Sequence, residues 1–279
     1  MRLLYTLFTL AIGGYGLFWA FDKNPELKHK AEELLDFRST NALELRYDSH
    51  QIMDNHSREL LKEKGARFLE PELKFFPYLL MEVKYCDTEN QTKESLILWD
   101  LTDGEMVIDT KTWEKTHGFA DCIASRAQEH ELKVLSIISK SGGSAGPETL
   151  QTKLGVDLPV LEMMLKTCVR KNLIIPTDLG EYRIHLQNPK LRTVPETLWH
   201  EQLTTRSQKR AQRAKGHFRQ GQIEKIAKMA FGQHFSIRKT TEIYLPIHRI
   251  VVQDPEGAIR THHFNALNGE ELPPAPFYQ

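Results

Sequence analysis

The side chains that could do chemistry are few and far apart. His117, Cys122 and His130 come nearest to a metal-ligand set, but their spacing matches none of the patterns by which Cys and His close a tetrahedral zinc site. Asp100, Asp103 and Glu105 bring three carboxylates together, the raw material of an acid/base pair. Thr102-Asp103-Gly104 is also a turn sequence, and turn formation is the simpler reading. His262 and His263 are neighbours on a strand-like run, so they face opposite sides and cannot act together. Ser141–Pro147 is glycine-rich but lacks the lysine of a phosphate-binding loop, and neither a nucleophile elbow nor His-Glu-x-x-His occurs. These residues point to a non-enzymatic protein and imply no metal or cofactor.

A second kind of chemistry is electrostatic. Arg206, Lys209, Arg210, Arg213, Lys215 and Arg219 follow one another with no acid among them. Such a run suits phosphates, either those of a nucleic acid or those of anionic lipid headgroups. Its plainer alternative is a solvated helix that balances an acidic first half. Lys+Arg and Asp+Glu both count 37, so overall charge makes no case for nucleic acid while the second half makes a local one. Phe218 is the single aromatic in the run, which offers no stacking platform.

The elements that must position these groups are organised around Phe119–Leu186. Leu132, Leu135 and Ile138 mark one face of a helix that Ser141-Gly142-Gly143-Ser144 stops. A short helix with Pro147 in its first turn ends at Gly155. Asp157 caps a third, with Pro159 in its first turn and Leu161, Leu165 and Cys168 on its buried face. Leu173–Pro176 and Glu181–Leu186 then read as a strand pair. Three helices and a hairpin in this order resemble the winged helix-turn-helix family. The resemblance suggests DNA, but the outward face of the third helix does not. It holds Pro159, Val160, Glu162, Met163, Lys166 and Arg170, whereas a major-groove reader favours Arg, Asn, Gln and Ser in its first turns. Pro159, Val160, Met163 and Lys166 are therefore expected to contact a protein partner, with nucleic acid as the second choice.

The flanks look like two copies of one module. Gly65-x-x-Phe68 answers Gly232-x-x-Phe235, Pro77 answers Pro246, and Trp99–Glu105 answers Phe264–Glu270. Each copy reads as a helix plus a hairpin, the first hairpin being longer at its tip. A unit this small buries little core, so the copies are expected to pair. The strand ending Asp-x-x-x-Gly-Glu resembles the PepSY-like domains, small membrane-linked or extracytoplasmic modules thought to bind partner proteins. Asn265 stands where that pattern has Asp, which puts a carboxylate role there in doubt.

Leu3–Phe21 carries no charge and would span roughly 28 Å as a helix, near the ~30 Å hydrocarbon core. Phe18–Asp22 supplies no small-x-small cleavage site, so an uncleaved anchor is expected rather than a signal peptide. Lys23, Lys28, Lys30 and Arg38 after the run lean towards a cytoplasmic body, although Arg2 is also how export anchors begin. The expected protein is α+β: a transmembrane anchor (1–22), a stalk (23–56), a first helix-hairpin module (57–118), the winged-helix-like domain (119–188), a basic helical linker (189–221) and a second module (222–279). Its expected role is that of a single-pass, membrane-anchored scaffold or regulator, in contact with the bilayer through Leu3–Phe21. The alternative is a membrane-tethered nucleic-acid binder.

Overall fold

A computed structural model describes residues 40–87, 89–186, 189–191, 194–206 and 212–273. Contacts divide the chain into Met1–Thr40 with Thr205–Arg210, and Asn41–Thr204 with Ala211–Gln279. Of the first unit only the ends of two strands are described. The second is α+β.

β1 (Thr40–Leu43) leads to α1 (Ser49–Leu60). Asp48 starts this helix as a capping box: its carboxylate accepts from Gln51 N at 2.9 Å, and Gln51 Oε1 accepts from Asp48 N at 2.9 Å. β2 (Arg67–Phe68), β3 (Glu72–Cys86), β4 (Thr92–Asp100), β5 (Met106–Asp109) and β6 (Glu114–Lys115) follow. A central insert then carries α2 (Phe119–Ala124), α3 (Glu129–Lys140), β7 (Ser144–Ala145), α4 (Pro147–Leu154), α5 (Leu158–Arg170), β8 (Ile174–Pro176) and β9 (Tyr182–Ile184). The chain returns through β10 (Leu203–Arg206), β11 (Gln212–Arg213), α6 (Gln220–Phe231), β12 (Ser236–Gln253) and β13 (Ile259–Asn265). The main sheet runs β10-β1-β12-β3-β4-β5-β6, with β11 beside β3, and β13 and β2 beside β12; β7, β9 and β8 form a small second sheet.

β3 and β12 are the two long strands, and they pair antiparallel about a centre at Phe76 and Leu245. Phe75 faces Pro246 and Pro77 faces Tyr244, so the two prolines stand symmetrically about that centre. β3 is buried on both sides. Leu79, Met81 and Val83 enter the core shared with the insert, while Phe76, Tyr78 and Leu80 enter another with Trp113, Ile243 and Leu267, as the two-residue period of a strand requires.

About this centre each module lends an arm to the other. β1 runs parallel to β12 with Ala42 opposite Tyr244, and β11 runs parallel to β3 with Arg213 opposite Phe75. α1 packs Ile52, Met53 and Leu60 with Ile250, Val252 and Phe264 of the other module's hairpin. α6 places Ile223, Ile226 and Ala227 in the core that holds Leu79, Val83 and Trp99 of the first. The turns correspond bond for bond. Asp100 N donates to Glu105 O at 2.9 Å and Leu101 N to Pro77 O at 3.1 Å; Asn265 N donates to Glu270 O at 3.0 Å and Ala266 N to Pro246 O at 3.1 Å. Gly104 and Gly269 take φ of 78° and 74°, a region that a side chain would strain.

Several expectations need correction. The fold class was to include a transmembrane helix, but among the described residues no helix is long and apolar enough to cross a membrane, and Leu3–Phe21 lies outside them. The longest of these helices, α5, has 13 residues, about 20 Å against a core of ~30 Å. The single-pass anchor, the bilayer contact and the localisation built on them are set aside. The expected stalk contains β1 and most of α1, because the Asp48–Gln51 box starts the helix well before the expected Ser57. The expected basic helical linker holds strands β10 and β11 instead. Its Thr197 is stitched into the sheet, accepting from Leu98 N at 2.9 Å and donating to Val107 O at 2.6 Å.

Because Phe76 is 1% exposed at the centre of the β3–β12 pair, Phe76→Ala is expected to destabilise the fold by about 3–5 kcal/mol. Urea unfolding checks this; a loss below about 1 kcal/mol would show that the pair does not carry the core.

Candidate functional site

The candidate site is the outward face of α5. Gly155 closes α4 in the left-handed conformation at φ 64°, Asp157 sits at the N-cap of α5, and Pro159 occupies its first turn. Leu161, Leu165 and Cys168 turn inward and are buried. The outward side keeps large apolar groups in solvent: Val160 is 38% exposed and Met163 62%. Pro159, Glu162, Met163, Lys166, Thr167 and Arg170 line a depression of about 370 Å³ along it. Thr167 donates its hydroxyl back to Met163 O at 2.9 Å, so that group is already used.

The four residues expected to meet a partner thus share one surface: Pro159, Met163 and Lys166 line the depression, and Val160 is exposed beside them. Thr167, which also lines the depression, was missed. Leu158, half exposed, opens the helix on the side of Leu161 and Leu165 and is not part of this face. Elsewhere on the insert Lys171 meets Glu131 at 2.6 Å and Lys133 meets Glu129 at 2.9 Å. No described acid pairs with Lys166 or Arg170.

Of the six basic residues, Arg213, Lys215 and Arg219 have described side chains. Lys209 and Arg210 lie outside the described residues, and of Arg206 only the strand backbone is described. Arg213 sits on β11 with its guanidinium 5.3 Å from the Tyr244 ring centre. Lys215 is exposed on the connection to α6, and Arg219 is the N-cap of that helix. Between them, His217 N and Phe218 N both donate to Leu101 O, at 2.8 and 2.9 Å, and the Phe218 ring packs where a Cβ on Gly104 would lie 2.8 Å away. This stretch braces the first turn.

That turn contains the acidic group noted in the sequence. Lys115 Nζ lies 2.5 Å from Asp100 Oδ2 and 2.7 Å from Asp103 Oδ2. Glu105 accepts from Gly118 N, Phe119 N and Ala120 N and from the Thr116 hydroxyl, so it caps α2 and fastens the insert to the sheet. Lys115 is the partner the sequence did not suggest; β6 brings it under the turn. Burial pushes Asp100 up, but the Lys115 charge and the Lys115 and Thr102 donors outweigh it and hold the carboxyl below its ordinary value. Burial and the charge of Asp100 push Asp103 up to about 7. Burial also raises both buried thiols, Cys168 to about 12, so neither is a nucleophile at neutral pH.

No protein-family model, no curated protein and no solved structure matches this chain.

Because the folded value for Asp103 stands above the unfolded one, the native state holds the extra proton between about pH 4 and pH 7. The contribution is stabilising below that window and is lost as pH rises through it. Asp103→Asn is expected to flatten the fall in stability between pH 5 and pH 7.5 by on the order of 1–2 kcal/mol relative to the parent chain, measured by urea unfolding at both pH values. Parallel pH profiles would contradict this assignment.

Proposed function

We propose that this chain is a non-catalytic protein-binding module. The insert Phe119–Ile184 is read as a winged helix that presents the outward face of α5 to a partner, and the two helix-hairpin modules serve as its mount. One observation carries the reading: Pro159, Val160 and Met163 stand exposed together on a helix whose Leu161, Leu165 and Cys168 are buried. Isolated exposed apolar residues are common on protein surfaces; a group around a depression is a contact site more often. Burying three such side chains offers several kcal/mol at ~25 cal/mol per Å² before the costs of association.

The charged groups near the turns fit a mounting role. Glu105 uses its carboxylate to cap α2, and Lys115 joins Asp100 to Asp103. Reading a nucleic acid with α5 is disfavoured by Glu162 and by the apolar side chains in its first turns.

A photo-reactive amino acid placed at Met163 is expected to cross-link one protein in living cells, and the same group at Leu179, 87% exposed in the β8–β9 turn, is not. Val160→Asp in the Met163 cross-linking chain should abolish the product while leaving unfolding within about 0.5 kcal/mol of the parent. Equal cross-linking from both positions, or a product insensitive to Val160→Asp, would remove this face as the site.

A further inference from the structure

We infer that the partner segment seated on α5 is an amphipathic helix with acidic residues at one end, docked in a fixed direction. This rests on the reading of α5 as a protein-docking face and goes further, to the chemistry and orientation of what docks.

The face is polarised along its length. Pro159, Met163, Lys166 and Arg170 recur at intervals of four, three and four residues, so they form one stripe on a helix of 13 residues. The stripe is about 16 Å long, the length of about three turns of a facing helix. Its first half carries the apolar Pro159 and Met163, with Val160 exposed beside them; its second half carries Lys166 and Arg170.

Neither cation pairs with any described acid, so both charges are open to a partner. Two unmatched cations beside an apolar stripe are complementary to a partner that carries apolar residues at helical spacing followed by carboxylates. Arg170 can take a carboxylate with two parallel hydrogen bonds, which fixes geometry as well as charge. Glu162, on the same depression, opposes an acid over the apolar half and so penalises the reversed orientation. The depression is shallow and open, so an apolar side chain of the partner would lie along Met163 and Pro159.

The test uses the full chain and two labelled 16-residue helical peptides with the same Leu stripe, one carrying Glu and the other Lys at the positions that would face Lys166 and Arg170. Fluorescence anisotropy is expected to show the Glu peptide binding about tenfold or more tightly than the Lys peptide at low salt, with the advantage shrinking as salt rises. Lys166→Glu with Arg170→Glu should reverse the preference, and Met163→Asp should weaken both peptides. Equal binding of the two peptides, with loss of both on Met163→Asp, would overturn the acidic partner and leave the docking face standing. Binding of neither peptide, together with failure of the Met163 cross-link, would overturn both. Displacement of the Glu peptide by a 15-base-pair DNA duplex, abolished by the Lys166 and Arg170 reversals, would assign the face to nucleic acid and also overturn the inference.

Discussion

The antiparallel pairing of β3 with β12 is the constraint on which everything else rests. It joins the two modules through their longest strands, and its centre at Phe76 and Leu245 fixes a two-fold relation between them. A hairpin with one helix buries too little surface to be stable alone. Here each hairpin is completed by the strand and helix that precede the other one, so neither module has its own cover. The register of the central pair therefore decides where both arms dock. A slip of one residue would turn Leu79, Met81 and Val83 away from the core they share with the insert.

The same relation explains why the two turns differ in sequence. After the first turn the chain continues into β5 and β6 and brings Lys115 beneath Asp100, so a buried carboxylate there has a cation. At the second turn the neutral Asn265 holds the same backbone pattern by accepting from Leu267 N at 2.9 Å, and its buried Nδ2 has no partner among the described residues. Glu105 and Glu270 diverge for a similar reason. Glu105 caps α2 where the insert begins, while Glu270 is exposed and its side chain accepts from the Asn268 amide at 3.4 Å.

What could be read from the sequence was what short-range pattern dictates. The helices of the insert follow from Gly, Pro and Asp placed at their ends, and the inward face of α5 from Leu161, Leu165 and Cys168 at helical spacing. The outward face followed by subtraction, which is why Pro159, Val160, Met163 and Lys166 could be named. The correspondence of Pro77 to Pro246 and of the two Gly-Glu turns was visible as repetition. The exchanged arms were not. β1 and β11 pair through only one and two residues in register, too little for a periodic signal, and their strand character comes from a partner far along the chain. In the basic stretch, a run of Lys and Arg says nothing of Phe218 packing against Gly104. Lys115 was missed because an ion pair across a meander has no fixed spacing.

The reciprocal arms make the most direct demand on experiment. Ile52 lies on α1 of the first module and is 1% exposed in a core with Ile250, Val252 and Phe264 of the second. Hydrogen exchange under native conditions, followed by mass spectrometry, would compare the parent chain with Ile52→Ala. Docking of α1 on the other module predicts that the lost protection appears in α1 together with the Ile250–Gln253 end of β12 and in β13, while β3 and β4 keep theirs. Loss confined to α1 and its own hairpin, with β13 unchanged, would contradict the exchange of arms and the two-fold arrangement built on it.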